Sequence, residues 1–129
     1  MTRIIKSQDC GKSPKNLLVQ TLVIAIETRN ASLFSRCVAD DVVWAIPGRK
    51  SFDGKETGVA YLKSLQPDAP VRLVVRRAIS HGRAGAGDGM LIRDGTLATS
   101  FCHVVDFSSV KGDRVSRISS YYSDIGEDA

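Results

Sequence analysis

The chain has 129 residues, the size of one domain that buries roughly two thirds of the surface its unfolded chain would expose. Hydrophobic residues make up 43% and charged residues 25% of it, a balance that argues against a disordered tail and a membrane protein. The formal charge of +4 is mild, and the basic residues are scattered apart from four arginines on or beside one expected strand. Nucleic-acid binding is therefore not expected.

Neither a membrane span nor a secretory signal is indicated. The longest apolar cluster, residues 17–26, is shorter than the ~20 residues that a membrane helix needs. The N-terminus MTRIIKSQDCGKS lacks an apolar core and a small-residue cleavage site. Three cysteines that cannot all pair and form no CxxC suit a reducing compartment; they are Cys10, Cys37 and Cys102. We expect a cytoplasmic protein with no membrane partner.

The first part of the chain predicts a mobile arm and then a buried helix. Residues 1–12 mix charge, glycine and polar side chains, so we expect a mobile arm ahead of one domain over residues 13–125. Ser13-Pro14 is a strong helix start, because serine caps free amides and proline needs no amide at the first helical position. The apolar stripe that follows is wide enough to predict a mostly buried helix to about Thr28.

A second helix and a short strand follow. Asn30 can cap a helix over residues 31–38. Residues 42–46 form a short apolar run rich in β-branched and aromatic residues, and Pro47-Gly48 ends it, which is typical of a strand.

A third helix is expected after a polar loop at residues 49–51. Asp53 can accept hydrogen bonds from free helix amides, and Glu56 stands three residues later, which is the spacing of a capping box. The helix should cover about residues 54–65.

The second half of the chain alternates in the manner of strands. Pro67 and Pro70 exclude helix, and from residue 71 the pattern has a period of two. A glycine-rich loop at residues 82–87 and a two-residue Asp94-Gly95 turn should join neighbouring strands. The expected strands are residues 71–81, 87–93, 96–107 and 114–123, which predicts an α+β fold with an antiparallel meander.

Three phrases occur in the order ADDVVWAIPG, FDGKETGVAYL and GDRVSRISSYYSD. In this order they resemble the nuclear transport factor 2-like superfamily, in its SnoaL-like and ketosteroid isomerase-like branch, and the match covers residues 14–124. The resemblance implies a cystatin-like cone, in which three N-terminal helices pack on a curved, mostly antiparallel sheet. It also implies a pocket in the cone and a homodimer formed through the open sheet face. Members of this superfamily include enzymes of several classes and non-catalytic scaffolds, so the activity must be argued from the site.

Alternation places one histidine on the inward face of a strand. In residues 97–107 one face is larger and more apolar, and His103 lies in its middle beside Phe101. A buried imidazole without a partner is costly. His103 is therefore either a core histidine bonded to a backbone carbonyl or a tyrosine, or a pocket residue that touches ligand.

Other pocket residues follow from the family register. That register places Ile118, Ser120 and Tyr122 inward on the last strand. Tyr122 and Asp124 would then join His103 at the cavity. Trp44, Ile46 and Tyr61 would form the opposite wall and rim, although ordinary core packing also explains Trp44 and Tyr61.

Arg77 interrupts an apolar alternation that includes Val75 and Ile79. It either holds a substrate carboxylate or is turned outward by a bulge or by snorkelling.

The resemblance allows some reactions and disfavours others. The position of the ketosteroid isomerase base falls on Ile46, that of its tyrosine on about Leu22 and that of its acid on His103, so this isomerisation route is disfavoured. A SnoaL-type cyclase would use His103 with Asp124, or with Asp106, which has outward parity. The aspartate–arginine–aspartate set of an epoxide hydrolase cannot be assembled. His81 and His103 lack a carboxylate at ligand spacing, so neither a metal site nor a cofactor is expected.

We therefore expect a cone-shaped pocket for a small hydrophobic or polyketide-like molecule. In an enzyme His103 would be neutral at pH 7 and act as acid or base, with Asp124 as the candidate acid. Tyr122 would orient a substrate oxygen, and Trp44, Ile46, Tyr61 and Phe101 would contact ligand. The alternative is a non-catalytic ligand-binding or dimerisation module.

Overall fold

A computed structural model describes residues 3–7, 13–65, 72–93 and 97–125. In these residues the elements are β1 (Arg3–Ile5), α1 (Pro14–Glu27), α2 (Ala31–Cys37), β2 (Val38–Ile46), β3 (Lys50–Asp53), α3 (Lys55–Ser64), β4 (Arg72–His81), β5 (Ala84–Arg93), β6 (Leu97–Phe107) and β7 (Val115–Ile125). The three helices pack against a mixed, mostly antiparallel sheet of seven strands with the order β1-β4-β5-β6-β7-β2-β3. The α+β fold is as expected.

The first two helices begin where the sequence predicts. The Ser13 hydroxyl accepts a hydrogen bond from the Asn16 amide at 3.2 Å, and the Asn30 side chain accepts one from the Leu33 amide at 3.0 Å. Both side chains thereby satisfy amides that a helix leaves without an internal partner. None of the helices in the described ranges is long and apolar enough to cross a membrane.

The two central strands have the expected faces. On β6, Phe101 and Val105 are buried and His103 is wholly buried, while Val104 on the opposite face is exposed. On β7, Ile118 and Ser120 are buried, and Tyr122 is half-buried. The register of the last strand is therefore the one that the family resemblance implies.

A bulge in β4 turns Arg77 outward, which was one of the two alternatives. The register of β4 against β5 shifts between Val75 and Arg77, so the parity of the strand changes there. Arg77 then forms a bidentate pair with Asp88, with Nε–Oδ1 and Nη2–Oδ2 distances of 3.1 and 2.7 Å. The same shift buries Ala78 and leaves Ile79 57% exposed, so Ile79 does not share the buried face of Val75.

The glycine-rich segment at residues 82–87 is mostly strand and not a loop. The turn is limited to Gly82 and Arg83, and β5 begins at Ala84. A Cβ atom on Gly87 would lie 2.7 Å from Cγ2 of Val23 on α1, closer than carbon atoms approach. Glycine is therefore required here because the helix packs directly on the strand backbone.

The capping box proposed at Asp53 does not form. Lys50–Asp53 is strand β3, which pairs with β2 through Trp44 and Phe52. Helix α3 begins after Gly54, which has φ +91° and provides no side-chain cap. The hairpin extends through Asp53, so the backbone carbonyl of Asp53, and not its carboxylate, accepts the Thr57 hydroxyl at 2.7 Å.

Part of the predicted mobile arm is a strand. Arg3–Ile5 pairs in parallel with β4, with Ile4 opposite Leu73, so the arm prediction was wrong for these residues. Backbone hydrogen bonds to a neighbouring strand hold them. Residues 1–2 and 8–12 of that arm, and the Asp94-Gly95 turn, lie outside the described residues.

Candidate functional site

A cavity of about 450 Å³ lies between α1, α3, the β2–β3 hairpin and the ends of β5, β6 and β7. This volume is within the range of small-molecule sites. Apolar and aromatic side chains form one part of the wall, among them Ile26, Trp44, Ile46, Tyr61, Leu62 and Leu91. The polar lining consists of Glu27, Tyr122, Thr99, Asp124 and the three cations Arg29, Arg49 and Lys50.

Glu27 brings a buried carboxylate to this cavity. It is the last residue of α1, and only 5% of its side chain is exposed. Val19, Val23 and Glu27 follow one another at intervals of four, so they share the helix face that packs on the sheet. A carboxylate at such a position needs hydrogen-bond donors to offset its lost hydration.

His103 and Tyr122 provide those donors to a single oxygen. Oε2 of Glu27 lies 2.7 Å from Nε2 of His103 and 2.9 Å from the Tyr122 hydroxyl. Nδ1 of His103 is 2.7 Å from Oγ of Ser120, which also accepts a hydrogen bond from Nε1 of Trp44 at 2.9 Å. Five side chains from α1, β2, β6 and β7 are thereby connected.

The direction of each hydrogen bond in this network follows from Trp44, whose indole N–H can only donate. Ser120 accepts that hydrogen bond, so its own hydrogen is free to be donated to Nδ1 of His103. The imidazole is then neutral with its hydrogen on Nε2, and it donates to an ionised Glu27. This tautomer is assigned from the network. It is the arrangement in which every hydrogen of these five groups has an acceptor.

Tyr122 is fixed as a hydrogen-bond donor. Burial, and next the charge of the Glu27 carboxylate, raise the pKa of the Tyr122 phenol far above its usual value. Both causes disfavour the phenolate. The hydroxyl therefore keeps its proton throughout the physiological range.

Trp44 serves both as core and as cavity wall. Its ring is 1% exposed and lies 5.3 Å from the rings of Phe34 and Phe52. Tyr61 approaches it edge-on at 5.7 Å. This aromatic cluster holds the hairpin against α3 and gives the cavity a rigid side.

Most of the sequence-predicted site residues border the cavity. Trp44, Ile46, Tyr61, Tyr122 and Asp124 all do so. Asp124 is exposed at the rim, where it accepts a hydrogen bond from the Thr99 hydroxyl at 3.0 Å.

Two predicted residues lie behind the wall. His103 has no exposed surface, and its two ring nitrogens are both hydrogen-bonded. Phe101 is 3% exposed, with its ring 5.3 Å from that of His103. Neither side chain borders the cavity.

Sequence reasoning missed Glu27, which provides the buried carboxylate of the site. The signal was its position four residues after Val23, where it continues the buried stripe of α1 with a charged residue. The described residues contain no group of three or more histidine, cysteine, aspartate or glutamate side chains placed to hold a metal ion.

No protein-family profile and no curated protein matches this sequence, whereas solved structures match the fold. A ketosteroid isomerase-like protein from Kribbella flavida superposes with a TM-score of 0.70 at 17% identity, covering 86% of this chain and 78% of that one. An NTF-2 like protein of unknown function from Burkholderia xenovorans superposes with a TM-score of 0.68 at 18% identity, covering 84% of this chain and 82% of that one.

A Mycobacterium tuberculosis epoxide hydrolase of the LEH-like type gives a TM-score of 0.66 at 16% identity, covering 84% of this chain and 82% of that one. At such identities the likeness establishes the fold and not the activity. The chain has the nuclear transport factor 2-like fold, with the cystatin-like packing of three helices on a mostly antiparallel sheet.

Proposed function

We propose that this protein binds a small, largely apolar molecule in the cavity and moves a proton on it, with Glu27 as the acid or base. The observation that carries this proposal is the Glu27 carboxylate, which borders the cavity while His103 and Tyr122 both hold its Oε2. A buried carboxylate held in one geometry is suited to proton abstraction next to a carbonyl group. The apolar and aromatic part of the wall suits the hydrophobic or polyketide-like ligands that the resemblance implies.

One carboxylate oxygen of Glu27 is available to contact substrate. Both of its hydrogen bonds go to Oε2, and Oε1 has no hydrogen-bond partner among the described residues. Oε1 is therefore the atom that would take a proton from substrate carbon. The electron pair of the broken C–H bond forms the C=C bond of an enolate, and the π pair of the carbonyl group moves to its oxygen, which needs a donor as its charge grows.

Tyr122 is the candidate donor to that oxygen. Its raised pKa keeps the phenol protonated, and it lines the same cavity as Glu27. Rotation about the C–O bond redirects its hydrogen from Glu27 to a substrate oxygen. Glu27 then loses one of two hydrogen bonds that favour its anionic form, which makes proton uptake easier.

His103 acts in this proposal as a positioning residue. Its Nε2–H holds Glu27, and its Nδ1 accepts from Ser120, so neither nitrogen reaches substrate. Asp124 lies at the rim and makes no hydrogen bond to His103. The acid–base role expected for His103 is thus exercised through Glu27, in keeping with a cyclase, isomerase or lyase type of reaction.

The second candidate is a non-catalytic ligand-binding module. Ile46 favours it, because this aliphatic residue lines the cavity at the position where the resemblance would place a catalytic base.

Proton exchange separates the two candidates. The probe is 2-tetralone, whose acidic C–H groups exchange with D₂O and are followed by NMR. We expect exchange above the buffer rate with the wild type and a loss of roughly 100-fold or more in Glu27→Gln. Glu56→Gln, the same change at an exposed residue of α3, should keep the wild-type rate. Equal exchange rates for the wild type and Glu27→Gln would refute catalysis by Glu27 and would favour the non-catalytic ligand-binding module.

We also propose that the protein is a homodimer through the outer face of the sheet. Ile79, Val104 and Tyr121 are 57%, 43% and 50% exposed. Ile79 lies opposite Ala86, which lies opposite Val104, so apolar side chains adjoin on this face. A second copy of the chain would cover them.

A further inference from the structure

The rim of the cavity is positively charged on one side. Arg49 comes from the turn between β2 and β3, and Lys50 begins β3. Both border the cavity. In the described part of the chain neither forms a salt bridge. Nζ of Lys50 lies 4.9 Å from the centre of the Tyr61 ring, an aromatic contact that leaves its charge uncompensated.

Arg29, the third cation of the cavity, has an unusual backbone. Its φ of 59° makes it the sole non-glycine residue with positive φ in the described ranges. This left-handed position follows the end of a helix and is one where glycine is normally the most stable residue. Strain of this kind concentrates at functional sites, and here it occurs at a side chain that borders the cavity.

The two carboxylates of the cavity are already engaged. Glu27 accepts from His103 and Tyr122, and Asp124 accepts from Thr99. Among the exposed side chains of the lining, the two cations Arg49 and Lys50 face one carboxylate, Asp124, so the rim has an excess of one positive charge. The other carboxylate, Glu27, is buried in the interior of the cavity.

We propose that the ligand carries an anionic head group, a carboxylate or a phosphate, which binds at the rim between Arg49 and Lys50. This inference rests on the function proposed above for the cavity. The apolar body of the ligand then lies against Ile46, Leu62 and Leu91, and the reacting carbon faces Glu27. The substrate class is an amphipathic organic acid or phosphate ester with a carbonyl group at its apolar end.

The charges also dictate one orientation. An anionic group placed next to Glu27 would repel a buried carboxylate where the dielectric constant is low. The same group at the rim meets two cations and keeps part of its hydration. Only the orientation with the head group outward satisfies both conditions.

Three probes of one shape test this inference: 2-naphthoate, 2-naphthyl phosphate and the neutral methyl 2-naphthyl ketone. Binding is followed by calorimetry and by the fluorescence of Trp44, the only tryptophan of the chain. We expect one or both anions to bind roughly tenfold tighter than the ketone at low salt. The preference should shrink as salt screens the exposed cations. The comparison of carboxylate with phosphate identifies the head group.

Charge-matched variants locate the effect. Arg49→Gln with Lys50→Gln should remove the preference for anions, so that the ratio of anion to ketone affinity falls to about one. Lys111→Gln with Arg114→Gln removes the same charge from the loop between β6 and β7 and should keep the preference. Ile46→Trp fills the cavity and should abolish binding of all three probes.

The outcomes separate the two proposals. If all three probes bind equally and Ile46→Trp abolishes their binding, the cavity is confirmed and the anionic head group is refuted. An equal loss of preference in the Lys111/Arg114 pair also refutes it. If none of the probes binds, or Ile46→Trp has no effect, both proposals fail.

Discussion

Oε2 of Glu27 lies 2.7 Å from Nε2 of His103, although the two residues are 76 positions apart. The contact joins the C-terminus of α1 to the middle of β6, and both side chains are almost fully buried. It therefore ties the helix layer to the sheet and fixes the carboxylate at the same time. Removal of either partner should affect stability as well as function.

Replacing His103 alone should cost more stability than replacing both partners. His103→Leu leaves a buried carboxylate without its strongest donor, so we expect a loss of about 3 kcal/mol or more. The double variant Glu27→Leu with His103→Leu removes the charge and should be more stable than His103→Leu. Urea unfolding at pH 7 measures both, and strictly additive losses would show that the two residues are not coupled.

The raised pKa of Tyr122 predicts that the folded protein loses stability at alkaline pH. Its pKa in the folded protein is raised above the ordinary value of 10.0, so the unfolded chain loses this proton first as pH rises. The contribution of the protonated Tyr122 to the free energy of unfolding is complete below pH 10. It declines above that pH by up to about 1.4 kcal/mol per pH unit. Tyr122→Phe should lower stability at pH 7 because it removes the hydrogen bond to Glu27, but it should also reduce the alkaline slope.

Absorbance at 295 nm provides an independent test of this assignment. The chain contains three tyrosines. In the folded protein, Tyr122→Phe should leave the tyrosinate signal up to about pH 11 unchanged, because the wild-type phenol stays protonated there. A loss of about one third of that signal would contradict the assignment.

Gly87 should not tolerate a methyl group. The new Cβ of Gly87→Ala would lie 2.7 Å from Cγ2 of Val23 and 3.0 Å from Cγ1 of Val19, so we expect a loss of about 1–3 kcal/mol from overpacking. Val23→Ala leaves a void and should also destabilise. The two changes together should cost less than their sum, and thermal unfolding of the four proteins measures the coupling. An additive result would mean that the helix does not press on this strand.

Charges on the outer sheet face should separate the proposed dimer. The wild type is expected to run as a dimer in gel filtration with light scattering. Ile79→Lys with Val104→Lys should give a folded monomer, since both exposed side chains would repel their counterparts. Lys63→Glu, on α3 away from this face, serves as a control. A wild-type monomer at all concentrations would refute the dimer.

The parts of the fold that followed from the sequence are those where one local signal acts alone. The caps at Ser13 and Asn30 satisfy nearby amides, and the faces of β6 follow from the alternation of side chains around His103. Neither depends on distant residues. The outward turn of Arg77 was one of the two alternatives left open, because a charged residue in an apolar alternation already indicates a bulge or a ligand.

The wrong predictions concern residues whose structure depends on distant partners. The glycines of β5 resemble a loop because glycine disfavours strands, and only the close approach of Val23 explains them. Asp53 resembles a helix cap, but its pairing with Val43 keeps it in a strand. Glu27 was overlooked because its donors, His103 and Tyr122, come from the other end of the chain.

The glycines of β5 bear on attempts to engineer this protein. Gly85 and Gly87 let α1 approach the sheet, and Glu27 is the last residue of that helix. The strand thus acts as a spacer that sets how deeply the carboxylate reaches. We expect a bulkier residue there to push the helix away from the sheet and withdraw Glu27 without touching a cavity residue. Mutant libraries confined to the cavity wall would overlook this effect, and replacing strand glycines to gain stability should weaken any function that depends on Glu27.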